Sequence, residues 1–221
     1  MPDLYSLAQL VLIWAVPILL AVTIHEVAHG LAAQRLGDDT AARAGRLSLN
    51  PLKHVDPMGT VVLPAMLMLM KLPPFGWAKP VPVNFSRLNS PRRDMAIVAA
   101  AGPASNLVMA LIWVSLLWLH LKLAQPAQAL SLFGEMCVLG VQINLVLMIL
   151  NLLPVPPLDG GRIAVGLLPP RPARILAGLD RYTMFVLVGF MALAATGVLG
   201  KIIFWPVIAA QTFLFRLFGL Y

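Results

Sequence analysis

The sequence predicts an all-α polytopic membrane protein, with about five transmembrane helices, a re-entrant helix and an extended or β-like membrane-associated loop. Three observations carry this. Of 221 residues, 60% are hydrophobic and only 11% charged, whereas a soluble domain carries about 25% charged residues. The mean hydropathy is +0.86. The shortage of charge is concentrated in long runs such as Leu10–Ile24, which is the composition of a lipid-spanning helix.

The first apolar segment runs from about Leu4 to Arg35 and stops at Gly37, a residue suited to a helix C-cap. It has neither the basic start nor the small-residue cleavage site of a secretory signal, so it is expected to remain in the working protein. The second segment runs from about Asp94 to Leu121, the third from about Gly134 to Leu153, the fourth from about Tyr182 to Leu199 and the fifth from about Ile202 to Leu220. A span needs roughly 20 residues at about 1.5 Å each, which makes the fourth marginal. Met58 to Met70 is too short for a straight span and is interrupted by Pro64, so it reads as a half-inserted element. Pro73, Pro74, Pro80 and Pro82 follow, and residues 72–85 are expected to be extended. There is no repeat or low-complexity segment. Residues 1–221 are read as a single integral-membrane domain, with a core at about 4–165 and accessory C-terminal helices at about 182–220.

Loop charge orients these spans. Residues 35–57 hold Arg35, Arg43, Arg46 and Lys53; residues 71–93 hold Lys71, Lys79, Arg87, Arg92 and Arg93; residues 154–181 hold Arg162, Arg171, Arg174 and Arg181; Arg216 lies further on. If Met58–Met70 does not cross, all of these share one face, and of the 16 Lys and Arg residues only Lys122 and Lys201 fall on the other. The positive-inside rule then gives an external N-terminus and a cytoplasmic C-terminus. Tyr5, Trp118 and Trp205 fall near the outer interface and Tyr182 near the inner one, as amphipathic rings prefer, while Trp14 and Trp113 lie deeper. The same asymmetry accounts for the net charge of +7 without nucleic acid. The single cysteine, Cys137, forms no intramolecular disulfide and reads as a small buried hydrophobe.

Inside the first span stands His25-Glu26-Val27-Ala28-His29. Histidines four apart lie on one helix face and can hold one zinc ion together. Two imidazoles and a carboxylate are costly at membrane depth, which makes a chance polar patch between helices a poor account of them. A catalytic zinc takes three protein ligands. The acidic residues in or near apolar segments are Glu26, Asp94, Glu135 and Asp159. Asp94 and Glu135 open helices, where a carboxylate suits the N-terminus, and Glu26 does not share the histidines' face. Asp159 lies where the third span breaks, and the first and third spans run in the same direction, so it is the expected third ligand. An aspartate before Gly160-Gly161 also suits an ordinary turn. His25 precedes Arg35 by ten residues, about 15 Å of helix, which puts the site below the lipid surface but not at its centre. Glu26, beside the metal, is placed to take a proton from the attacking water and pass it to the leaving amine.

With these motifs the chain resembles the site-2 protease family of intramembrane zinc metalloproteases. His25 to His29 matches the family's HExxH, Asn151 to Gly161 its NxxPxPxLDGG, and Gly102-Pro103-Ala104-Ser105-Asn106 its central GxxxN-type motif. The resemblance covers roughly Thr23 to Arg162. It implies one Zn2+ per chain held by His25, His29 and Asp159, with Glu26 as catalytic acid and base. It also implies that Asn106 and Gly102 lie near the active site, as a substrate-binding or oxyanion element. A small residue and an amide four apart suit close helix packing equally, and Asn144 and Asn151 share that ambiguity, with support roles favoured. No insertion is long enough for a PDZ or CBS domain, as in the short type of the family, which Gly45–Pro51 and Phe75–Asn84 also resemble.

The implied activity is intramembrane endoproteolysis, in or near transmembrane segments of single-span membrane proteins or of leftover signal peptides. The expected setting is a prokaryotic inner membrane with the site toward the cytoplasm; the partners are those substrates and the lipid bilayer, and the oligomeric state is open. One rival is a non-catalytic scaffold of the same fold, which has no need of Glu26. Another is a zinc or solute transporter, which needs polar residues in the middles of the fourth and fifth spans, where Phe185 to Leu193 and Ile202 to Ala210 offer none. A helical peptide bond must unwind before it is cut, so residues 72–85 are expected either to pair with the unwound strand or to form a rigid interfacial loop anchored by Trp77 and Lys79. His54 is expected to be solvated, His120 to lie near the outer interface, and Pro17 to kink the first helix.

Overall fold

The computed structural model describes residues 4–70, 76, 79–123 and 131–220. Among them the regular elements are helices: α1 (Leu4–Arg35), α2 (Thr40–Arg43), α3 (Leu63–Leu69), α4 (Pro91–Leu123), α5 (Leu132–Asn151), α6 (Asp159–Leu167), α7 (Pro170–Ala177), α8 (Thr183–Ala195) and α9 (Val198–Leu217). Four of them, α1 from Val11 onward, α4, α5 and α9, are long and apolar enough to cross a membrane. Their outer faces expose Leu12, Trp14, Phe213 and Leu217, surface that water penalises and lipid does not. The chain is a multi-pass integral membrane protein.

The four spans pack around α4, which lies against α1, α5 and α6, while α9 closes on α5. Trp113 and Val114 of α4, Val141 and Leu145 of α5, and Val207 and Phe215 of α9 form the centre of the main apolar cluster. Trp113, deep in the sequence, is therefore a core residue. Trp118, Trp205 and Tyr182 are exposed; the side chain of Tyr5 lies outside the described residues. α1 continues as one helix past Pro17 and ends before Gly37, whose φ of +108° stops it.

The expected fourth span is shorter than its hydropathy implies. α8 has 13 residues, roughly 20 Å, against a hydrocarbon core of about 30 Å. Thr196 and Gly197, the latter at φ +74°, end it, and the chain restarts as α9 at Val198. Neither residue is polar enough to interrupt an apolar run, so the break is invisible to composition. Residues 154–181, read from sequence as a loop, contain the two short helices α6 and α7. In Met58–Met70, Asp56 caps a wide helical turn by accepting from the amides of Met58 (3.0 Å) and Gly59 (2.8 Å), and the turn runs into α3. Pro64 does not end the run: the chain stays helical from Pro57 through Leu69, with the wide turn directly before the proline, as is common where a helix accommodates an irregularity.

Of the segment 72–85, residues 76 and 79–85 are described; Trp77 is not among them. Residues 79–84 carry no helix, as expected, and form no ladder with another strand among the described residues. They are held by polar contacts instead. The amide of Lys79 donates to the His54 carbonyl (2.9 Å), and Arg46 Nη2 donates to the carbonyls of Lys79 (2.8 Å) and Pro80 (3.3 Å). His54 is buried rather than solvated, with Nε2 donating to the Ser48 carbonyl at 2.8 Å. Its burial fixes the loop that in turn fixes residue 79. His120 meets Ser131 Oγ at 2.8 Å, which ties the end of α4 to the start of α5.

The other tie is Asp38, fully buried just beyond α1. Its carboxylate accepts from the Thr40 amide (3.0 Å), the Thr40 hydroxyl and the Asn84 amide (2.6 Å). Burial alone pushes its pKa up, but these bonds and Arg87 outweigh it and hold the carboxyl below the usual range. The folded pKa thus lies below the unfolded one, so the contribution is complete above about 3.9 and is lost as pH falls through the lowered folded value. Asp38→Ala leaves two amides without an acceptor, an expected loss of about 1–3 kcal/mol in thermal unfolding in detergent. The gap to wild type should narrow in acid; a gap unchanged with pH argues against the ionised carboxylate as its source.

Candidate metal centre

α1 presents His25 and His29 one turn apart, with their rings edge-to-face and centroids 4.6 Å apart. The third group arrives from the broken end of α5. Pro154, Pro156 and Pro157 cannot continue that helix, and α6 begins at Asp159. The reversal is tight enough to need glycine: a Cβ on Gly161 would lie 2.5 Å from Pro156 N, and one on Gly160 would strike the Leu152 and Leu153 carbonyls. Asp159 Oδ2 is 3.2 Å from His25 Nε2 and 3.3 Å from His29 Nε2, and the two Nε2 atoms are 3.0 Å apart.

Protons on the far sides of the rings define what faces inward. His29 Nδ1 donates to the Val98 carbonyl (2.8 Å), which can only accept, so its Nε2 presents a lone pair. His25 Nδ1 donates to Asn106 Oδ1 (2.6 Å). Three acceptors therefore face one point, and Asp159 Oδ2, shielded from solvent, meets no donor. Such a cluster is self-repulsive and fits a cation. Two imidazole nitrogens and one carboxylate oxygen are a set that divalent metals take, with a further position left open.

Gly102 of α4 faces the inner edges of the imidazoles; a Cβ there would strike His29 Nε2, the nitrogen turned toward the centre, and stand 2.6 Å from His25 Cε1. Asn106 is fully buried behind His25, with Nδ2 donating to Asn144 Oδ1 (3.0 Å) and to the Ala21 carbonyl (3.4 Å). Asn144 Nδ2 donates in turn to the Gly140 carbonyl (2.8 Å). Asn106 thus meets His25 on its Nδ1 side, whereas Gly102 leaves room beside the inward Nε2–Cε1 edges. Asn151 is different: it borders the cavity, and its Nδ2 donates to the Leu147 carbonyl (3.0 Å).

In front of the centre is a cavity of about 180 Å³. His25, Glu26, His29 and Asp159 line one side, and Pro80, Val81, Val83 and Phe85 form the opposing wall. Of the segment 72–85, the described residues Pro80 to Phe85 thus flank the cavity. Glu26 Oε2 accepts from the Val81 amide at 2.8 Å. Arg162 is exposed at the rim, its guanidinium 5.2 Å from the Phe85 ring centroid. Nothing but loop charge singles out Arg162 in the sequence, and the Val98 carbonyl, being backbone, carries no sequence signal.

The model of peptidase family M50 matches residues 120–194, a stretch that holds Asp159 but not the histidine pair. The chain is 39% identical over 199 residues to the protein named "Putative zinc metalloprotease YwhC" of Bacillus subtilis, covering 88% of this chain and 85% of that one. The chain belongs to peptidase family M50. This M50 peptidase is also 33% identical to the Rip2 protein of Mycolicibacterium smegmatis, over 77% of this chain and 62% of that protein. It is 30% identical to the Rip2 protein of Mycobacterium tuberculosis, over 85% and 70%. Both relatives carry the same zinc metalloprotease description as the Bacillus protein. No solved structure matches. The resemblance to site-2 proteases drawn from the motifs is thereby shown for the family.

Gly102→Ala should displace both imidazoles and sharply lower the metal content of the purified M50 peptidase while its helix content, read by circular dichroism, is unchanged. Full metal content in that variant would show that the close approach of α4 is not required.

Proposed function

We propose that this peptidase is a zinc-dependent endopeptidase that cuts in or near transmembrane segments of single-span membrane proteins or of signal-peptide remnants. The observation that carries the reading is the convergence of His25, His29 and Asp159 beside Glu26, in a cavity built on membrane-spanning helices. The names of the relatives support zinc as the ion. When bound, zinc supplies Lewis acidity, polarising a carbonyl and lowering the pKa of a water to about 7.

The residues of the chain do the rest. Glu26 takes the proton of the attacking water and delivers it to the departing amine. Of the amides Asn106, Asn144 and Asn151, only Asn151 borders the cavity, and one of its N–H bonds remains beyond the contact with Leu147, so it is the amide placed to steady a polarised carbonyl. The wall from Pro80 to Val83 offers extended backbone to an unwound substrate, which otherwise has unsatisfied polar groups in lipid. The basic loops argue for a site toward the cytoplasmic side of a prokaryotic inner membrane. The centre and its wall lie within residues 4–165; among the described residues, 182–220 contribute no side chain to the site, and α9 supports it through the apolar cluster.

In vesicles with a single-span test substrate, wild type should cleave, chelation should stop it, and added zinc should restore it. Glu26→Gln should lower turnover by about 10²–10⁴-fold with zinc content intact; equal cleavage by both proteins removes Glu26 from the chemistry. Val83→Pro tests the wall more cleanly than Val81→Pro, because the Val81 amide also holds Glu26. Val83→Pro should slow cleavage without loss of zinc, and unchanged turnover would dispose of strand pairing.

A further inference from the structure

We propose that Asn144 is a positioning residue for the metal centre: acting through Asn106, it dictates which nitrogen of His25 carries the proton. The proposal rests on the zinc reading above and concerns how the first imidazole is made ready for the ion.

The relay crosses three helices and is grounded in backbone. Asn144 of α5 is fully buried, and its side-chain amide meets the Gly140 carbonyl one turn back at 2.8 Å. A carbonyl oxygen only accepts, so the group facing it is the NH2, and the Asn144 oxygen must face α4. There it accepts from Asn106 Nδ2 at 3.0 Å, and that nitrogen also reaches the Ala21 carbonyl at 3.4 Å. If Asn106 turned over, its oxygen would meet two other oxygens in a place sealed from solvent, leaving buried acceptors unsatisfied. Its oxygen is thereby held toward α1, 2.6 Å from His25 Nδ1. A neutral imidazole has one proton, and an acceptor at Nδ1 claims it there. Nε2 is left bare, 3.0 Å from His29 Nε2 and 3.2 Å from Asp159 Oδ2.

His29 reaches the same state by a shorter route, since the Val98 carbonyl meets its Nδ1 directly. His25 is served instead by an amide oxygen whose direction depends on α5. This gives a reason for a buried amide in an apolar span: position 144 must donate to a carbonyl and accept from Asn106 at once. Acceptors behind metal-binding histidines commonly contribute about 10–100-fold in metal affinity.

The test begins with zinc-free wild type labelled with 15N at histidine. His25 in its neutral form should be the Nδ1–H tautomer; an Nε2–H tautomer overturns the proposal without any variant. Asn144→Leu frees Asn106 to turn and should weaken zinc binding by about 10–100-fold in chelator competition, with the His25 tautomer mixed. Asn144→Asp, which keeps an acceptor facing Asn106 Nδ2, should retain the Nδ1–H tautomer of His25. An Asn144→Leu variant with wild-type affinity and tautomer overturns the relay. So does a folded Asn144→Asp variant with the tautomer mixed, since an acceptor at 144 is then not what orients Asn106. If Asn144→Leu does not fold, the wild-type tautomer decides. Wild type that binds no stoichiometric zinc would sink the zinc reading instead, and the tautomer measurement separates that failure from this one.

Discussion

The structure is organised around a repulsion. Two imidazole lone pairs and a carboxylate oxygen stand 3.0–3.3 Å from one another in a space with no donor for Asp159 Oδ2. With both rings neutral and the carboxylate ionised, nothing in that trio attracts before a cation arrives, so the surrounding helices position it. α1 supplies two members through its own period, α4 backs them with the space at Gly102 and the Val98 carbonyl, and the break between α5 and α6 delivers the third. The apolar contacts of α4, α5 and α9 hold this frame; a fully buried side chain such as Trp113, Leu145 or Phe215 contributes on the order of 1.5–3 kcal/mol where water is the reference.

The same frame explains why polar residues occur so far inside. His25, Asn106, Asn144 and Asp159 are all buried, and each hydrogen-bonds or faces another of the four. In a medium that offers no water, a single unmatched amide is expensive, so such groups persist as a connected set or not at all. Outside the spans the logic reverses. Arg46, His54 and Asp38 use charge and backbone contacts to shape residues 79–84, which have no ladder partner of their own among the described residues.

How much was legible in the sequence follows the distance over which each feature is encoded. The histidine pair and the Asp-Gly-Gly turn are local patterns and stand out in the sequence by spacing; three of the long helices were read to within a few residues at most ends. Pairing His25 with Asp159 needed only the directions of two spans. The length of α8 was misread because Thr196 and Gly197 are nearly neutral in hydropathy, and α6 and α7 were missed because three prolines and a basic stretch conceal two short helices. The burial of His54 depends on Ser48 and Lys79 meeting it in space, which no local pattern records. Asn106 was read as near the site, which it is; that it faces His25 rather than the cavity depends on the rotation of α4 about its axis.

The wall of the cavity is fastened to α1 and the turn beyond it at two points, Val81 to Glu26 and Asn84 to Asp38, and both fasteners are carboxylates accepting backbone amides. Any displacement of residues 81–84 away from α1 would therefore release one hydrogen bond at Glu26 and one at Asp38 together, so the carboxylate beside the histidine pair and the one that shapes the loop answer to the same stretch of backbone.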